Sequence, residues 1–174
     1  MGIPAPGAPI YASGMFETLL GLPAHPLIVH VAVVFGPLLV ALVVGYCLVP
    51  MVRKWVAWAV VSLGVLAPAA LWAAKLSGET FLEIQERNGA GPEFVAGLQE
   101  HQDFGELAAW TGTALGLLSL VLVIVCTAAG RKPANAGSRA LTYGVIVLSL
   151  AAAAATGYYL FKTGHSGATH VWGA

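Results

Sequence analysis

"LPAHPLIVHVAVVF" (residues 22–35) opens the first long apolar run of the chain and carries two imidazoles, His25 and His30. The run continues to Val49 with Leu, Val and Ala as its main residues. Such a stretch is long enough for a membrane helix, which takes roughly 20 apolar residues. Polar side chains inside a span usually face a bundle interior and mark function. The stretch therefore predicts both a membrane helix and a site for its histidines.

Three further runs match it. The four spans cover about 27–49, 56–76, 107–129 and 141–161, and none shows the alternation of a barrel strand. Composition agrees: 58% of the 174 residues are hydrophobic and only 9% are charged, against roughly 25% charged in a soluble domain. The predicted fold is all-α, a four-transmembrane-helix bundle forming a single integral membrane domain over residues 1–174. Pro37 and Pro68 fall inside spans one and two and predict kinks. Residues 1–22 lack a basic start and hold Pro4, Pro6 and Pro9, unlike a signal peptide. "MFETLLGL" (residues 15–22) predicts a short helix lying at the interface.

Charge sorts along the chain although the formal net charge is zero. The connectors after spans one and three hold Arg53, Lys54, Arg131, Lys132 and Arg139. All the acids lie elsewhere: Glu17, then Glu79, Glu83, Glu86, Glu93, Glu100, Asp103 and Glu106. By the positive-inside rule the basic connectors are cytoplasmic. Both termini and the long connector from Ser77 to Asp103 are then extracytoplasmic, in a bacterial cytoplasmic membrane. Zero net charge and sorted charges give no footprint for nucleic acid.

On that topology His25, His30, His101, His165 and His170 all fall at the extracytoplasmic end. His25 precedes Pro26 in a first helical turn. His30 lies inside the apolar edge by roughly 5 Å. Imidazoles bind iron, copper and zinc, and two from different helices can ligate both faces of a haem. The expected cofactor is haem b, one or two, held among His30, His101, His165 and His25. Gly105 and Gly112 belong to a stripe of small residues on span three (Gly105, Ala108, Gly112, Gly116, Ser119) that would admit a macrocycle. Its inner half reads equally as close helix packing. The alternative is a bare copper, iron or zinc ion on His30, His101 and His165. No H-E-x-x-H motif orders those three. Counted from the apolar edges, His30 and His101 differ in level by roughly 14 Å; His101 and His165 match better. Glu106 could orient an imidazole or face Lys75 or Lys162. Cys47 and Cys126 read as packing residues, and Trp55, Trp58 and Trp72 as interface anchors.

The segment "GLPAHPLIVHVAVVFGPLLVALV" resembles the opening of a widespread group of bacterial four-helix membrane proteins of unknown function. Its pattern is His-Pro-x-x-Val-His, matched here by His25, Pro26, Val29 and His30. "TGHSGATHVW" is similar to the close of one branch of that group, matched by residues 164–168 with Val171 and Trp172. Some members of the group are fused to a Rieske-type iron–sulfur domain, which implies an extracytoplasmic electron-transfer setting. This chain has no cysteine pair for such a cluster, so the redox partner, a Rieske-type protein or a cytochrome c, would be a separate protein. A haem-b electron-transfer protein is the leading expectation. A metal-binding or transport protein and a structural subunit of a larger complex are the alternatives. Few polar residues lie at depth beyond Ser62, Ser149 and Thr156, which counts against transport.

Overall fold

The computed structural model describes residues 18–19, 22–130 and 135–173. Four helices account for most of them: α1 (Ala24–Leu48), α2 (Arg53–Arg87), α3 (Pro92–Ala129) and α4 (Ala136–Trp172). All four are long and apolar enough to cross a membrane. Successive helices pack against one another, and α4 closes on α1. Short connections and that closure give an up-down-up-down bundle. The start of α1 and the end of α4 lie at one end, with the α2–α3 turn.

Local chemistry explains the breaks. Pro50 opens a single 3-10 turn, Pro50–Val52, between α1 and α2. Gly89 adopts φ 76° in the α2–α3 turn, a left-handed conformation that glycine takes without steric cost. Pro92 then starts α3, where its missing N–H loses nothing. Asn135 and Ser138 form a reciprocal capping box at the start of α4.

The helices outrun the apolar spans. The 35, 38 and 37 residues of α2, α3 and α4 correspond to about 50–57 Å, against roughly 30 Å of hydrocarbon. The Ser77–Asp103 connector is therefore no loop: α2 and α3 run through it, broken only between Arg87 and Pro92. The interfacial helix expected over residues 15–22 is also corrected. Thr18–Leu19 pairs with Leu22–Pro23 in a two-residue antiparallel ladder, and the rest of that segment lies outside the described residues.

Leu39, Val43, Val60, Leu63, Leu115 and Leu122 fill the middle of the bundle. Backbone approaches backbone at the α2–α3 crossing. A Cβ on Gly116 would stand 2.4 Å from the Gly64 carbonyl and 2.7 Å from the Pro68 ring. Pro68 has no N–H to give that carbonyl, four residues earlier, so Gly116 lets α3 approach where α2 has a freed acceptor. Gly112 is covered by Leu71, whose Cδ1 lies 2.4 Å from where its Cβ would be. The inner half of the small-residue stripe thus serves helix packing, and Gly112 offers no slot.

Candidate functional site

At the end where α1 begins and α4 finishes, His25 and His101 meet. Their ring centroids are 6.4 Å apart and their planes cross at 80°. Three helices hold the His25 ring. It stands at the start of α1, stacks on Phe81 of α2 at 6.0 Å, and meets His101 of α3. Its Nδ1 lies 3.0 Å from the hydroxyl of Ser77, a fully buried residue of α2. His101 repeats the arrangement on α4, with Nδ1 3.1 Å from the Ser166 hydroxyl.

Each serine is followed by a glycine, and each glycine lies beneath the imidazole. A Cβ at Gly78 would come within 3.2 Å of His25 Cε1, and one at Gly167 within 2.8 Å of His101 Cε1. Ser77-Gly78 and Ser166-Gly167 therefore act alike. The hydroxyl binds the ring, and the missing side chain leaves the ring its place.

The hydroxyls also have carbonyl partners of their own. Ser77 donates its proton to the Ala74 carbonyl at 2.9 Å, and Ser166 donates to the Thr163 carbonyl at 3.1 Å. A hydroxyl has one proton, so where the serines donate to these carbonyls their oxygens accept from Nδ1–H. In that arrangement Nε2 of His25 carries the lone pair. A metal-binding histidine characteristically has its far nitrogen oriented by a hydrogen bond in this way.

The other proposed ligands point elsewhere. His30 is exposed on α1, and its Nδ1 donates to the Pro26 carbonyl of its own helix. His165 is also exposed and stacks on Phe161 of its own helix at 6.0 Å; its neighbours Ser166 and Gly167 make the contacts to His101. The side chain of His170 lies outside the described residues. His30, His101 and His165 do not assemble, and among the described residues no three His, Cys, Asp or Glu side chains form a metal-binding group.

Glu106 does not orient an imidazole. It lies 3.8 Å from Lys75, accepts from Trp110 Nε1 at 3.4 Å, and belongs with the Lys75–Glu79 pair at 2.7 Å. Trp72 and Trp110 meet edge-to-face beside it, as interface anchors would. Gly105 stands one turn inward from His101, where an added Cβ would meet Thr163 at 3.9 Å, an ordinary van der Waals contact. Gly97 lies one turn outward, buried. Gln102 carries a buried side-chain oxygen with no hydrogen-bond partner in this layer.

Sequence reasoning singled out the histidines but missed their partners Ser77, Gly78, Phe81, Ser166 and Gly167. The one available signal was the Ser-Gly dipeptide recurring at Ser77 and Ser166, one in each of two helices. Comparison with protein-family models, curated proteins and solved structures returns no match. The resemblance to the four-helix bacterial group therefore stands on its two motifs.

Proposed function

We propose that this chain is a membrane-bound haem-b electron-transfer protein of the bacterial cytoplasmic membrane, with iron ligated by His25 and His101 near the extracytoplasmic face. The observation that carries the reading is the imidazole pair itself, drawn from α1 and α3, with both Nδ1 atoms at hydrogen-bond distance from serine hydroxyls. With about 2 Å per metal–nitrogen bond, two imidazoles on one metal have ring centres roughly 6 Å apart, close to the 6.4 Å found here. A bare zinc ion takes three or four protein ligands, whereas the described residues bring two together. Haem iron needs only two from the protein, since the macrocycle fills the other positions. The residues one turn either side of His101, Gly97 and Gly105, carry no side chain that would block a flat ring.

Bound haem supplies a ferric/ferrous one-electron couple. The protein's own residues do the rest. His25 and His101 would hold the iron from α1 and α3, and Ser77 and Ser166, beside their Nδ1 atoms, would orient the two rings. Phe81 covers the His25 ring. Two protein ligands leave no position for a substrate at the metal, which suits electron carriage over chemistry on a bound molecule. The orientation rests on the basic connectors being cytoplasmic.

Purified protein should show a b-type visible spectrum that sharpens on dithionite reduction. His25→Ala and His101→Ala should each abolish it, while His30→Ala and His165→Ala should keep it. A colourless protein from haem-supplemented cells, or loss of the spectrum in His30→Ala but not in His25→Ala, would sink the assignment.

A further inference from the structure

The opposite end of the bundle holds a cleft of about 350 Å³ between the end of α1, the end of α3 and the first turns of α4. Two guanidiniums line it, Arg53 and Arg139, with Tyr143; Pro50, Cys47 and Ile146 make its apolar walls. Arg53 is fixed in place. Its Nε donates to the Tyr46 carbonyl at 2.8 Å and its Nη2 to the Cys47 carbonyl at 3.2 Å, closing the last turn of α1. Its guanidinium also lies over the Tyr46 ring, 5.5 Å from the centroid. Guanidinium has five N–H donors in a planar fork, so three remain after those two bonds. Arg139 is exposed one turn into α4.

Neither cation has an anionic partner among the described residues. Every described carboxylate lies between Glu79 and Glu106, at the far end, and the ion pairs among the described residues involve Lys75 alone. The Ser138 and Thr142 hydroxyls in the lining spend their protons on the Asn135 and Ser138 carbonyls. The donors left for a ligand are therefore the two guanidiniums and the tyrosine hydroxyl, which is the chemistry of a phosphate site. The cleft sits where the apolar spans end, which in a bilayer would place it near the lipid headgroups. Leu48, Met51, Leu141 and Val147 are exposed around it, a surface suited to acyl chains. Basic pockets between membrane helices on the cytoplasmic side bind anionic lipid headgroups.

We infer that this cleft binds the phosphate of an anionic phospholipid in the leaflet at the arginine end, through Arg53 and Arg139. The detergent-purified full chain, mixed with phosphatidylglycerol or phosphatidylcholine, tests this by native mass spectrometry and thermal unfolding. Phosphatidylglycerol should bind at least about tenfold more tightly, a difference of about 1.4 kcal/mol, and should raise the unfolding temperature more. Arg139→Gln should remove most of that preference. This residue's side chain has no hydrogen bond or ion pair among the described residues, so its variant should fold even if Arg53→Gln, which also uncaps α1, does not. Lys162→Gln, at the other end, should leave the preference intact. Equal binding of the two lipids, an unchanged preference in Arg139→Gln, or equal protection by millimolar inorganic phosphate alone would overturn the proposal.

Discussion

Each paired imidazole rests on a serine and a glycine, and the two contacts make different demands. Loss of the Ser77 or Ser166 hydroxyl frees the ring to turn and to change tautomer, but leaves its nitrogen present. Removing such an orienting partner typically costs 10–100-fold in metal affinity. Ser77→Ala and Ser166→Ala should therefore weaken haem retention by roughly that factor, measured by haem transfer to an apo-acceptor, without abolishing the spectrum. The glycines should grade by distance. Gly167→Ala places a methyl 2.8 Å from the His101 ring and Gly78→Ala places one 3.2 Å from the His25 ring. The first should disturb the spectrum more than the second; the reverse order would show that the rings are not held as described. The sequence reading pointed to His30, inside the apolar edge, whereas His25 is the one that meets His101. Five residues at 100° each put them about 140° apart on a helix, so both cannot face one partner. Which of them faces inward depends on how α1 is rotated in the bundle, and that is set by Ala32, Leu39 and Val43 packing inward. The serine partners were not legible, because each lies more than 50 positions from its histidine.

Among the elements, α2 and α3 matter most, because their crossing sets the height at which His25, Ser77 and His101 meet. That crossing depends on backbone proximity at Gly64, Pro68 and Gly116. The Gly64 carbonyl is in the way of any side chain at position 116, and backbone does not yield as a flexible side chain does. Overpacking of this kind costs about 1–3 kcal/mol. Gly116→Val should lower the unfolding temperature in detergent and loosen the histidine end, whereas Gly144→Ala, with nothing within 4 Å of its added Cβ, should be nearly neutral. Equal effects of the two would mean that the helices cross elsewhere. The spans themselves were legible because Leu, Val and Ala dominate them and, apart from Lys75 at the end of span two, no charged residue interrupts them. The continuation of α2 and α3 past Ser77 was not, because polar helix and polar loop share a composition. That gap produced the level problem for His101. Counted from an apolar edge it stands outside, yet α3 begins nine residues earlier at Pro92 and His101 lies within a continuous helix level with the start of α1.

Across the whole molecule, charge and site lie on one axis. The described acids cluster at the histidine end and Arg53 and Arg139 mark the other. The inferred orientation follows: in a chain with Cys47 and Cys126 replaced by alanine, a single cysteine at Asn88 should react with an impermeant thiol reagent in intact cells, and one at Asn135 should not. The opposite pattern would turn the histidine pair inward. From Ser77 to Glu106 seven carboxylates face one base, Arg87, a net of six negative charges. They stand on helices that project beyond the apolar spans, with Glu83, Glu86 and Glu93 exposed. Charges of one sign beside a redox site steer an oppositely charged partner and can raise association rates by about 10–1000-fold. A basic extracytoplasmic carrier, such as a cytochrome c, is thus the expected partner for the proposed haem. The Debye length falls from about 30 Å at 0.01 M salt to about 8 Å at 0.15 M, so steering should fade over that range. Stopped-flow electron exchange with a basic c-type cytochrome should slow about tenfold or more as salt rises. The triple change of Glu83, Glu86 and Glu93 to Gln should slow it at low salt and flatten the salt dependence. If the second-order rate ignores both treatments while the b-type spectrum is intact, the acidic helices are not the docking surface, and the carrier meets the protein on another face.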